Sequence, residues 1–372
     1  MQKRSGEELS RGCASCPFAK ARHRNTDGQT SIRASPGWTF VHRCKFFEKY
    51  SVMNAAPLLV SFNSLSKFLD ALPEKHRENN GDQIESLVDK SLPPVVSETC
   101  LAVLFGYSLG FVYALSKKQH KFYRSFKIQQ GKKVRTIHSP RVALKVVQKW
   151  FGAHLSNAVS FESHVCGFVK GKSFADAAKI HQGAKWVYSV DIEDFFPSIS
   201  TFQISNALES VGYSKDAAQL LADISSLNFK LAQGSPASPV LSNIVMKDID
   251  KQLKELANQY DLQVTRYADD IVFSGKGVFQ EALPTELEAI FEGTTFSLNK
   301  SKTYFADSEK GQRLKIHGLL VKEDKITLTK GYRNKIRAFR HMVEQGKVSE
   351  DDLPRLKGHL RFAEFIASKN ES

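Results

Sequence analysis

Two short apolar segments that each run into aspartate constrain this chain more than any other feature. Tyr188-Ser-Val-Asp191-Ile-Glu-Asp-Phe-Phe196 reads as a strand ending at Asp191, and Val264-Thr-Arg-Tyr-Ala-Asp269-Asp270-Ile-Val-Phe273 reads as strand, turn, strand with the aspartates at the turn. An Asp pair in a tight turn has a plain local explanation, because Asp tolerates that backbone. Two such sites together imply more. Carboxylates from neighbouring strands, converging at one edge of a sheet, are what a pair of Mg²⁺ ions roughly 3.5–4 Å apart needs for phosphoryl transfer.

Charge agrees with a phosphate-bearing partner. Lys and Arg outnumber Asp and Glu 53 to 39, a net charge of +14 over 372 residues. That excess suits a protein lying along nucleic acid, although an anionic membrane surface would satisfy charge alone. The uncharged stretch at residues 99–116 is long enough to suggest a span, but Gly106, Ser108 and Gly110 interrupt it. Two short buried helices are expected there, the second capped by Ser108. The N-terminus lacks the apolar core of a secretory signal, and five cysteines make no disulfide framework, so a reduced, cytoplasmic setting is expected. Cys13, Cys16 and Cys44, with His42, form a candidate zinc site; reduced thiols in a basic segment are the plainer reading.

The expected class is α+β, since helices and short strands alternate without a regular βαβ period. Three regions are expected. Residues 1–95 form an N-terminal, mainly helical extension, with Leu65, Phe68, Leu69 and Leu72 on one helix face, a loop at residues 79–82 (Asn-Asn-Gly-Asp) and a stop at Pro93-Pro94. Residues 96–330 carry the acidic motifs and a basic hairpin around Gly131. Residues 331–372 are helical and basic, with Arg333, Lys335, Arg337 and Arg340 around Ile336 and Phe339.

The motifs resemble those of reverse transcriptases. Tyr267-Ala-Asp-Asp270 matches their YADD box and residues 191–196 match their first catalytic motif. Leu231-Ala-Gln-Gly-Ser-Pro-Ala-Ser-Pro239 is similar to LPQGxPxSP, and Asn299-Lys-Ser-Lys302-Thr303 to the lysine-bearing motif. The segment Gly131-Lys-Lys-Val-Arg135-Thr-Ile-His-Ser-Pro140 is similar to the fingers hairpin. The resemblance implies a right-hand polymerase fold with fingers, a palm built on an antiparallel sheet and a short helical thumb. It also implies two Mg²⁺ ions on Asp191 and Asp269, with Asp270 assisting and the Ile192 carbonyl a further ligand. Phe196 would exclude a ribose 2′-OH, and Gln233 and Gly234 would lie against nucleotide and template. Arg135, with Lys133, would hold the triphosphate of a deoxynucleotide. Lys302 would contact phosphate or give pyrophosphate its proton.

Within that family the likeness is to retron enzymes. Asp176-Ala177-Ala178-Lys-Ile-His181 is similar to their NAxxH motif, with Ala177 in place of asparagine; Ile316-His317-Gly318 stands where they carry VTG. The likeness implies nucleic-acid contacts from His181, His317, Gly318 and the basic residues 333–340. It implies a partner noncoding RNA, priming from a guanosine 2′-OH to give branched RNA–DNA (multicopy single-stranded DNA), an effector protein and a role in defence against phages. A relative of group II intron enzymes, another defence reverse transcriptase, and a catalytically silent RNA-binding scaffold are the rivals. The three aspartates together argue against the scaffold.

Overall fold

The computed structural model describes residues 56–130 and 133–371. Cys13, Cys16, His42 and Cys44 lie outside the described residues. The described chain begins with α1 (Leu65–Asp70), capped by Ser64, and α2 (Glu74–Asp89). The loop expected at residues 79–82 is instead the middle of α2. Ile84 and Leu87 are buried on that helix, and the Asn80 amide donates to the His76 carbonyl at 3.0 Å. Burying two such side chains is worth roughly 1.5–3 kcal/mol each, which outweighs the ~1 kcal/mol cost of a mid-helix glycine.

Next come α3 (Glu98–Phe105) and α4 (Leu109–Lys117), bent 117° at their junction. Gly106 takes φ 65° to end the first, and Ser108 accepts from the Phe111 amide to start the second, as expected. Among the described residues no single helix is long and apolar enough to cross a membrane. Strands β1 (Tyr123–Gln130) and β2 (Lys133–Pro140) form the basic hairpin, in register Tyr123↔Pro140. Helices α5 (Val142–Ala158) and α6 (Phe174–Ile180) lead into β3 (Trp186–Asp191). The chain continues through α7 (Phe195–Ser198), α8 (Thr201–Val211) and α9 (Lys215–Ser225), then the two-residue strands β4 (Ser226–Leu227) and β5 (Lys230–Leu231). After α10 (Ser238–Val245) and α11 (Lys247–Gln259) come β6 (Gln263–Tyr267) and β7 (Asp270–Gly275). The last part holds α12 (Leu283–Phe291), β8 (Tyr304–Asp307), the small sheet β9 (Lys315–Ile316), β10 (Leu319–Val321) and β11 (Ile326–Leu328), then α13 (Lys330–Glu344) and α14 (Leu353–Ser368).

The central sheet is antiparallel in the order β6-β7-β3-β8. Its side chains alternate between two cores, as a pleated strand requires. Trp186, Val190, Ile271 and Phe273 face the large helical core, while Val187, Val272 and Ala306 face α6, the small sheet and the C-terminal helices. The fold is therefore α+β.

The large core also takes in Phe68, Ile84, Leu87 and Val95 beside Trp150, Phe151 and Tyr213. Trp150 Nε1 donates to the Pro57 carbonyl and Tyr213 Oη to that of Pro93, both at 3.1 Å. The division expected at residue 95 thus passes through one continuous core. Strands β9–β11 share the second core with Ile336 and Ile366, so they pack with the basic helices rather than apart from them.

Candidate active site

Strand pairing brings the acidic segments together. β3 and β7 run antiparallel in a register that sets Asp191 opposite Asp270. β6 and β7 pair up to Tyr267↔Asp270, which leaves Ala268 and Asp269 as a two-residue turn at the sheet edge. Ala268 sits at φ 60°, a left-handed conformation costing an L-residue roughly 1–2 kcal/mol. The surroundings hold it there. Ile192 N–H donates to the Asp269 carbonyl at 2.8 Å, and Arg266 Nη1 donates to the Ala268 carbonyl at 3.2 Å.

That Arg266 was not anticipated from the motifs. It is fully buried and forms a two-pronged pair with Asp250 of α11, at 2.5 and 2.6 Å. Its backbone is also tied to the loop before α6: Cys166 and Gly167 N–H donate to its carbonyl and its own N–H donates to that of His164. Gly167 presses directly on the turn; a Cβ there would lie 2.2 Å from the Ala268 nitrogen, so no larger residue fits. Asn243 of α10 completes the support, its amide donating to the Gly167 carbonyl at 2.9 Å. The signal available beforehand was an arginine inside a strand of the acidic hairpin, which demands a counter-charge once that strand is buried.

The site is strongly anionic. Burial, followed by the neighbouring Asp269 and Asp270 carboxylates, holds the Asp191 carboxyl above the usual carboxylate range, against the Lys302 ammonium that donates to its Oδ1. Asp270 Oδ2 faces His317 Nδ1 at 3.5 Å. Ile192 occupies the non-hydrogen-bonded place in a bridge to Leu298, made by Glu193 N–H on Ser297 and Asn299 N–H on Asp191, so its carbonyl takes no part in that pairing.

Other expected residues fall as follows. Phe196 of α7 is half-buried, its ring 5.9 Å from Phe168 and 5.5 Å from Phe195, and Phe195 belongs to the core. The Gln233 carbonyl accepts from His138 N–H of β2 at 2.9 Å, joining this loop to the hairpin. Gly234 is required there: it has φ 129°, and a Cβ would meet the His138 carbonyl oxygen at 2.5 Å. Lys133 opens β2, and Arg135 follows it, exposed. Arg333, Lys335, Arg337 and Arg340 are exposed on α13, which Ile336 anchors in the second core. Arg333 donates to Thr327 and Lys335 lies over the Phe339 ring.

Two expectations need correction. His181 is no surface contact for nucleic acid: it is fully buried, with Nδ1 2.7 Å from Ser274 Oγ and Nε2 2.8 Å from Thr265 Oγ1. It ties the end of α6 to both strands of the β6–β7 hairpin, and burial pushes its pKa down to about 3. The His317 side chain is likewise only 2% exposed, directed at Asp270 rather than outward. Gly318 beside it is exposed, at φ 86°.

Among the described residues no three His, Cys, Asp or Glu side chains enclose a metal site by themselves. Mg²⁺ rarely asks for such a cage; it takes one or two carboxylates and completes its octahedron with phosphate oxygens and water. Asp191 and Asp270, paired across the register with Asp269 adjacent, are a donor set of that kind.

Comparison with known proteins agrees with this geometry. Residues 117–333, more than half of the chain, match the family described as reverse transcriptase (RNA-dependent DNA polymerase). Similar proteins include the retron Ec86 reverse transcriptase of Escherichia coli, 29% identical over 77% of this chain and 86% of that one. The retron Mx65 enzyme of Myxococcus xanthus is 27% identical over 74% of this chain and 69% of its own length, and the Mx162 enzyme 28% over 80% and 68%. Telomerase from Candida albicans, solved with a fragment of telomeric RNA, superposes with a TM-score of 0.43 at 11% identity over 73% of this chain and 60% of that one, too distant to add to the assignment. The chain belongs to the reverse transcriptases, the RNA-directed DNA polymerases, and its likeness within them is to retron enzymes.

Proposed function

We propose that this reverse transcriptase copies a partner noncoding RNA into DNA, beginning from the 2′-OH of a guanosine within that RNA, so that the product is a branched RNA–DNA. The observation that carries this reading is the edge where Asp191 faces Asp270 beside Asp269, in a chain similar to several retron enzymes. Asp191 and Asp269, with Asp270 and the Ile192 carbonyl alongside, would hold two Mg²⁺ ions, which supply charge neutralisation at the phosphates and lower the pKa of the priming hydroxyl. Lys302, already on Asp191, is the candidate phosphate contact or proton donor to pyrophosphate. Arg135 and Lys133 would bind the triphosphate, a guanidinium suiting two-pronged phosphate contact. Phe196 would bar a ribonucleotide sugar, with Gln233 and Gly234 against nucleotide and template. The exposed cations of α13, interleaved with Phe339, suit a folded RNA read by shape and stacking.

In a cytoplasmic setting the complex would restrain a nearby-encoded effector in defence against phages, and residues 1–95, with a zinc ion on Cys13, Cys16, His42 and Cys44, would help dock RNA or effector. The test is to purify the protein from cells carrying its native locus and to sequence the nucleic acid that comes with it, beside an Asp269→Ala/Asp270→Ala variant. A discrete DNA joined to RNA through a 2′ branch, absent from the variant, is the expected result. Unbranched or heterogeneous DNA would keep the polymerase and remove the retron reading; RNA alone in both would favour the scaffold.

A further inference from the structure

We infer that His317 is a positioning residue for Asp270, holding that carboxylate in its metal-binding orientation from beneath the sheet edge. The inference rests on the active-site reading above. Ile316 pairs with Leu319, so His317 and Gly318 form the two-residue turn of the β9–β10 hairpin, both at positive φ (46° and 86°). Turns of this type favour Asn, Asp or Gly at the first position. Histidine enters such a backbone less readily than glycine but more readily than most side chains, so what the ring touches bears on its presence there.

The ring is turned inward. Its centroid lies 5.1 Å from that of Tyr267, the residue that precedes the catalytic turn, and Nδ1 approaches Asp270 Oδ2 at 3.5 Å. Nε2 is buried without a hydrogen-bond partner among the described residues, so the ring's polar contact is with the carboxylate and not with a network of its own. A cavity of about 250 Å³, lined by Ser189, Asp270, Val272, Tyr304, Lys315 and His317, opens beside the carboxylate. Packing therefore leaves the Asp270 side chain room on that side, and the His317 ring stands where a polar contact can limit it. Groups that orient a metal-binding carboxylate commonly change metal affinity or activity 10–100-fold when removed.

The test uses the full chain with His317→Gly, which suits the turn and removes only the ring, and His317→Asn, which suits the turn and restores an N–H donor. Mn²⁺ binding by electron paramagnetic resonance is read without nucleotide, and the Mg²⁺ half-saturation and deoxynucleotide KM are read on a primer–template. The glycine variant should bind Mn²⁺ about 10-fold more weakly and need about 10-fold more Mg²⁺, with the deoxynucleotide KM unmoved. The asparagine variant should recover most of that loss. A glycine variant with wild-type Mn²⁺ binding overturns the inference, as does an asparagine variant equally impaired, which would make the ring a packing element. Wild-type Mn²⁺ binding that Asp191→Asn leaves unchanged would instead overturn the active-site reading, and the inference with it.

Discussion

Two hairpins of this chain share a topology and differ in almost everything else. In β6–β7, residues 264–266 and 271–275 are buried, and the turn is braced by Gly167, Ile192 and the Arg266–Asp250 pair. In β1–β2, residues 124–129 and 134–136 are exposed, including Phe126, Ile128 and Val134. Among the described residues its ties to the rest of the chain gather toward its base, where Gln148 donates to Tyr123 Oη, Arg141 N–H to the Phe122 carbonyl and His138 N–H to the Gln233 carbonyl. The difference follows from the work each would do. Carboxylates that hold metal must sit within a fraction of an ångström, and only a packed core gives that. An arm that closes on a nucleotide gains from few fixed contacts, since segments with little burial open and close at low cost.

Substitutions that separate rigidity from chemistry test this contrast. Asp269→Asn should lower deoxynucleotide incorporation by roughly 10³-fold while leaving the circular dichroism spectrum unchanged, because it removes charge from the reacting centre and nothing from the core. Arg266→Met should destabilise the protein by about 3–5 kcal/mol in urea unfolding by stranding the Asp250 carboxylate; adding Asp250→Leu should restore much of the loss. A single variant as stable as wild type would mean that the turn is not braced from below.

On the exposed arm the effects should reverse. Arg135→Ala should raise the deoxynucleotide KM by 10–100-fold, from about 1.5–3 kcal/mol of charge-assisted contact, with no change in Tm. A lowered Tm would show the arm to be part of the core after all. His181 provides the acid-side test of the rigid hairpin. Its folded pKa, about 3, lies below the ordinary 6.5, so the unfolded chain takes up the proton first. The stability involved is complete above pH 6.5 and is lost as pH falls toward 3, amounting to about 2 kcal/mol at pH 5. Thermal melts between pH 7 and 5 should therefore slope less in His181→Gln than in wild type. The smallest effect concerns a third hairpin, β4–β5. Phe229 at its turn is 84% exposed at φ 61°, and Phe229→Gly should stabilise by about 1 kcal/mol in the same unfolding assay.

Much of this was readable in one dimension. The strand ending at Asp191, the hairpin carrying Asp269 and Asp270, the Ser108 cap and the basic helix after Gly331 all depend on residues within a turn or two of one another. Composition misled at residues 79–82, where burial of Ile84 and Leu87 overrides four consecutive poor helix formers. The two histidines were misplaced for a different reason. An imidazole is equally at home on a surface or in a core with hydroxyl partners, and the partners of His181 stand 84 and 93 residues away.

The sequence by itself determined the enzyme family and the order of its motifs, because chemistry needs particular side chains and local backbone signals place them on strand ends and turns. Only the tertiary structure decided which strand faces Asp191, what braces the Ala268–Asp269 turn and where His181 and His317 point. Those outcomes depend on polar groups finding buried partners far along the chain, and the cost of leaving such groups unpaired is settled by the whole fold at once.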